Sequence, residues 1–187
     1  FAGYYDAEDF AKAIGARSRF YGDVVAPWET DGLTYRVFRN HLIEGVTEAA
    51  ERDLLDRTFK QGGAITEGEL AALSTEALSV FKLLQGAPYE EAGRLIEQLS
   101  PQTREFLRAA SPSTNIEKLK ARVLIMHDRA DKLVPSEESR RFAEALGDDN
   151  DPYHTEFSFF QKEIQVHVDE SEGVGLLGFV TEAFKFY

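Results

Sequence analysis

The chain has no cysteine in its 187 residues. That absence excludes a disulfide framework, a zinc–thiolate site and a cysteine nucleophile together. It is compatible with a reducing compartment, and a cytoplasmic location is the expectation. Basic residues are outnumbered by acidic ones, 21 against 33, for a formal net charge of −12. No run of lysine or arginine forms a basic stripe. Nucleic acid and anionic membrane surfaces both want clustered positive charge, so neither is an expected partner. No apolar run approaches the roughly 18 residues of a membrane span, and no signal-peptide pattern opens the chain.

The apolar share of 43% and the charged share of 29% are ordinary for a globular protein. A chain of this length can bury one sizeable core, so one domain, or one with a small appendage, is expected. The opening FAGYY reads as the tail of a strand already under way, which points to a chain beginning inside a larger protein.

Residues 1–116 read as helices joined by short loops. Asp6 precedes AEDFAKAIGA, in which Ala7, Phe10, Ala11 and Ile14 recur at helical spacing. TYRVFRNHLIEGV sets Tyr35, Phe38, Leu42 and Val46 on one stripe. Thr47 has the place of an N-cap for EAAERDLLDRTFK, with Leu54, Leu55 and Phe59 facing inward. Thr66 and Glu69 have capping-box spacing. Ser74 caps TEALSVFKLLQ, which stops at Gly86. Pro88 suits a first helical position, and Ser100-Pro101 repeats that start signal.

The period changes after SPST (111–114), the expected boundary between a helical region, 1–116, and an α/β portion, 117–187. ARVLIMH (121–127) has the short apolar composition of a strand buried on both faces. Pro135-Ser136 opens a helix that ends near Gly147. GDDNDP reads as a turn, HTEFSFF (154–160) as a second strand, and LLGFVTEAFKFY as a last helix. Strand, helix, strand, helix is the order of parallel pairing with a right-handed crossover. The fold class is therefore α/β, predominantly helical. Two parallel strands with both faces to cover require neighbours.

Functional groups in open parallel sheets gather beyond the carboxyl ends of the strands. There the chain places VLIMHDRADKLVP (123–135), an apolar strand running into a cluster of charge closed by Val-Pro. An Asp four residues past a strand-ending His, then a hydrophobic residue and Pro before a helix, resembles the penultimate strand of the α/β-hydrolase family. The lead-in SPSTNIEKLKA fits as well. Asp128 stands where the family usually has Gly. The resemblance implies an α/β-hydrolase-like parallel sheet portion under a helical cap, and makes Asp131 the acid of a nucleophile–acid–histidine triad. In QVHVD (165–169) it makes His167 the base. Read from the residues alone, EIQVHVD alternates, so it can also be a strand hairpinned with TEFSFF that carries His167 on its wet face. His127 is expected as a packed structural histidine, and His41 and His154 as surface residues.

The family's nucleophile sits on a Gly-x-Ser-x-Gly elbow, and no serine of this chain has that setting. The resemblance then describes the carboxyl-terminal half of a hydrolase, with the serine and the oxyanion hole outside these residues. The implied activity is hydrolysis of an ester or similar acyl bond of a small apolar substrate. The alternative is a non-catalytic hydrolase-like binding or assembly module, its sheet edge covered by another copy or by a missing amino-terminal half.

Three patterns are set aside. Gly173-Val174-Gly175-Leu176-Leu177-Gly178 has the dinucleotide glycine spacing without the following strand and acid. Asp148-Asp149-Asn150-Asp151 lacks the central Gly and terminal Glu of a calcium loop. The acidic pairs of PYEEAG and DESEG read as helix starts. No cofactor and no metal is expected. Tyr4, Tyr5, Phe20, Tyr21, Trp28, Tyr35 and Phe38 crowd the first 40 residues, as either an acyl pocket or an ordinary helical core requires.

Overall fold

A computed structural model of the chain describes residues 3–147, 152–158 and 181. Its architecture is mixed α/β and mostly helical, with a small parallel two-stranded sheet. The Gly173–Gly178 pattern, the acidic run 148–151, His167 and all of the last helix but Thr181 lie outside the described residues.

Helix α1 (Ala7–Ala16) starts where the Asp6 carboxylate accepts from the Glu8 and Asp9 amides, satisfying two donors that a helix end leaves open. It packs against α5 (Thr75–Gln85), α6 (Tyr89–Glu97) and α7 (Pro101–Ala110). The approach to α5 is close at Gly15, where a Cβ would stand 2.7 Å from Leu83 Cδ2. Helix α2 (Gly32–Glu44) adds Phe38, Leu42 and Ile43 to the same core. Helix α3 (Ala49–Phe59) adds Leu55 to it. The short α4 (Glu67–Ala71) is held by the reciprocal Thr66–Glu69 capping box.

Three departures from the sequence reading have local causes. Thr47 is not the N-cap of α3; Glu48 holds that position, with no side-chain cap bond. Pro88 precedes the first helical residue of α6 rather than occupying it. Residues 1–116 are not wholly helical, because Ser18–Tyr21 (β1) and Val24–Pro27 (β2) form an antiparallel hairpin. Its two-residue Gly22-Asp23 turn needs the positive φ of 54° at Gly22.

A 3-10 segment, Pro112–Lys118, leads to the α/β portion. Strand β3 (Leu124–Asp128) pairs in parallel with β4 (Tyr153–Phe157), His127 opposite Glu156, and α8 (Ser136–Leu146) is the crossover between them. Ile125, Phe142 and Leu146 form its small core, with Tyr5, Ile116 and Val123 against it.

The two regions are joined largely by directional polar bonds. The Tyr5 and Asp6 amides donate to the buried Glu138 carboxylate at 2.9 and 3.1 Å. Ser111 Oγ accepts from the Ala7 amide at 2.8 Å, and Arg141 donates to the Phe20 carbonyl at 2.6 Å.

Leu55 is fully buried in the larger core. Leu55→Ala is expected to lower unfolding stability by about 2–5 kcal/mol, the range for emptying a packed leucine site. Urea titration followed by circular dichroism measures it.

Candidate functional site

The turn after β3 is built by its own acids. Asp128 Oδ1 accepts from the Ala130 amide at 2.8 Å, and the Asp131 amide donates to the Asp128 carbonyl at 3.1 Å. Asp131 Oδ1 then accepts from the Leu133 amide at 2.6 Å and the Val134 amide at 3.3 Å. Short acidic side chains bond the backbone two or three residues onward in this way, which is why they populate such turns. Asp128 is thus a turn-former, and Asp131 is aimed by its own loop.

His127 lies beneath that loop with no solvent exposure. Its Nε2 is 3.0 Å from the Val134 carbonyl and 3.3 Å from Asp131 Oδ2, and its Nδ1 meets Ser139 Oγ on α8. A carbonyl oxygen can only accept, so Nε2 carries the proton. Nδ1 is then the acceptor and the Ser139 hydroxyl its donor. Ser139, His127 and Asp131 have the composition of a catalytic triad but not its function. Serine and imidazole are sealed from any substrate, and the serine faces the ring nitrogen opposite the one a triad uses.

The expectation of a packed structural histidine at the strand end holds, but its bond to Asp131 escaped sequence reasoning. The available signal was the i, i+4 spacing itself, which brings side chains together across a tight turn as well as along a helix. His41 and His154 are not plain surface residues. The His41 ring packs at a tilt of 41° against Phe106 with centroids 4.4 Å apart, and burial pushes His154 below the ordinary imidazole value.

An ionised carboxylate offers about four acceptor positions. Among the described residues, three donors reach Asp131: two amides on Oδ1 and the His127 imidazole on Oδ2. One position on Oδ2 remains, and the side chain keeps 18% of its exposure. Burial pushes this carboxyl up, but the donors from His127, Leu133 and Val134 outweigh it and hold the group below the ordinary aspartate range. The arrangement is a preformed anion with room for one more donor.

The helical region sits on the same turn. Trp28 Nε1 donates to the Asp131 carbonyl at 2.9 Å, while the Thr30 hydroxyl and the Asp31 amide donate to the Lys132 carbonyl at 2.8 and 2.9 Å. The end of β4 is also close, because the Arg129 amide donates to the Phe157 carbonyl at 2.8 Å. The carboxyl end of β4 therefore lies at the edge where Asp131 stands.

Two cavities are lined without the Asp131 carboxylate. One, of about 360 Å³, is lined by Arg19, Tyr21, Arg129, Arg140 and Glu137. Another, of about 250 Å³, is an apolar groove in the helical region lined by Tyr4, Phe10, Phe38, His41 and Phe106. Of the early aromatic cluster, Tyr4 and Phe38 reach that groove. Phe20, Trp28 and Tyr35 belong to the helical core, so the cluster serves mainly as packing.

No family model, no curated protein and no solved structure matches the chain. Among the described residues no helix is long and apolar enough to cross a membrane, and no group of three His, Cys, Asp or Glu side chains converges to hold a metal.

An aspartate with a depressed folded-state pKa contributes stability above its unfolded pKa of about 3.9, and that contribution drains away as pH falls through the lower folded value. Asp131→Asn is therefore expected to cost about 1–2 kcal/mol at neutral pH. The difference from the wild type should close below the ordinary aspartate range. Denaturant midpoints between pH 2 and 7 measure the convergence.

Proposed function

We propose that the chain is the carboxyl-terminal part of an α/β-hydrolase that cleaves an ester or similar acyl bond of a small apolar substrate. The observation that carries the reading is the Asp131 carboxylate. It stands beyond the carboxyl end of a parallel strand, ionised, aimed by backbone amides and left with one acceptor position. A triad acid needs that state, because its work is to orient an imidazole and stabilise the imidazolium that forms.

His167 is the proposed base and follows β4 in sequence. Its geometry lies outside the described residues. The link to Asp131 is supported by the parallel β3–β4 pairing, which brings the end of β4 to the Asp131 turn. A serine from outside these residues would attack the acyl carbonyl, with His167 accepting the hydroxyl proton and returning it to the leaving alkoxide. Water would then resolve the acyl-enzyme by the same exchange.

The helical region as a cap is supported by the bonds of Trp28, Thr30 and Asp31 to the carbonyls of this turn. A cap that moves would carry the acid's own loop with it. The resemblance of residues 111–135 to the family motif supports the superfamily, and the acyl substrate is the narrower part of the proposal.

The full-length protein is expected to hydrolyse a short p-nitrophenyl ester and to be labelled by a fluorophosphonate. Asp131→Asn and His167→Ala should each lower kcat by about 10³–10⁴-fold. Wild-type turnover in either variant would refute the assignment.

A further inference from the structure

We propose that His127 is the positioning residue for Asp131: sealed beneath the turn and held in one tautomer by Ser139, it fixes the carboxylate so that the last acceptor position of Oδ2 faces outward. The catalytic consequence rests on the hydrolase reading above; the positioning itself rests on geometry alone.

The backbone amides of Leu133 and Val134 engage Oδ1 and leave the carboxylate one freedom, rotation about the bond that carries it. A donor on the other oxygen removes that freedom. His127 Nε2 is that donor at 3.3 Å, and it shares its proton with the Val134 carbonyl at 3.0 Å, so ring, turn backbone and carboxylate form one closed unit. The ring cannot turn over without cost, because a half-turn would set Cδ2 where Nδ1 meets Ser139 and Cε1 where Nε2 meets the Val134 carbonyl, and both bonds would be lost. Ser139 is itself fully buried, so no water substitutes for it. A histidine suits the place because two nitrogens of one rigid ring reach helix and turn at once.

A simple structural role and a positioning role make different demands on the two halves of the ring. Asparagine can present an acceptor near the place of Nδ1 and keep the Ser139 bond, but it cannot reach Asp131. Glutamine can present a donor near the place of Nε2 and keep the Asp131 bond. The two substitutions are alike in polarity and burial. The charges on neighbouring elements, Asp31 before α2, Asp128, Arg129 and Lys132 in the turn, Glu137 and Glu138 on α8, and His154 and Glu156 on β4, are the same in both.

The test is the carboxyl ¹³C titration of Asp131 in the full-length protein, assigned with Asp131→Asn. In His127→Asn the Asp131 proton-binding constant is expected to rise about tenfold, while His127→Gln stays near the wild type. On an ester substrate, kcat should fall about tenfold in His127→Asn with KM unchanged and recover in His127→Gln. Equal titration of Asp131 in the wild type and in His127→Asn, or equal shifts in both variants, would overturn the proposal. The expected titrations combined with full ester turnover by Asp131→Asn would uphold the positioning and remove the hydrolase reading.

Discussion

An imidazole buried without exposure is tolerable only if both nitrogens find partners, since an unpaired polar group in a packed interior costs about 1–3 kcal/mol. His127 meets that condition through Ser139 on one side and the Val134 carbonyl and Asp131 carboxylate on the other. The turn after β3, built by its own acids, is closed against the ring by these bonds. The seat of α8 is tied to the ring too, since Ser139 lies in that helix and has to present its hydroxyl at one place. The hairpin and the start of α2 then dock onto carbonyls that this turn has already oriented.

The division of labour between the two cores makes such polar bonds matter more than usual. The helical region has an extensive apolar core running through α1, α2, α3, α5, α6 and α7. Among the described residues of the α/β portion, the buried apolar cluster is the small one of Ile125, Phe142 and Leu146. Directional bonds add to it. Glu138 is the clearest case: fully buried, it accepts from the Tyr5 and Asp6 amides and from Arg141. Burial pushes its carboxyl up, and the Arg141 guanidinium and the two amides pull it back only in part. The same residues that begin α1 thus fasten it to the crossover helix, and helical region and sheet are registered within hydrogen-bond tolerance.

Local chemistry was legible wherever one side chain acts on its own backbone. Asp6, Thr66, Ser74 and Ser100 were read as helix starts, and each accepts the expected amide. Thr47 misled because it is a favoured capping residue by type, yet the helix begins one position later, after Glu48, which makes no side-chain cap bond. The hairpin was missed although Gly22-Asp23 is a recognised turn pair. Its strands are four residues each, and the exposed Val24 and Val25 give no alternation to read. The parallel pairing of β3 and β4 was legible because a strand, a crossover helix and a second strand leave little topological choice.

Sequence alone determined the strand–turn–helix around Asp131, the acid that faces it, and the helical character of most of the first 116 residues. Those features depend on interactions between residues a few positions apart, and periodicity and capping chemistry report such interactions directly. Only the tertiary structure decided which oxygen of Asp131 is occupied and that a buried histidine occupies it. It alone decided that Trp28, more than 100 residues away, closes the turn from above. Those outcomes depend on where side chains from different elements meet, and spacing along a chain carries no record of a distance across it.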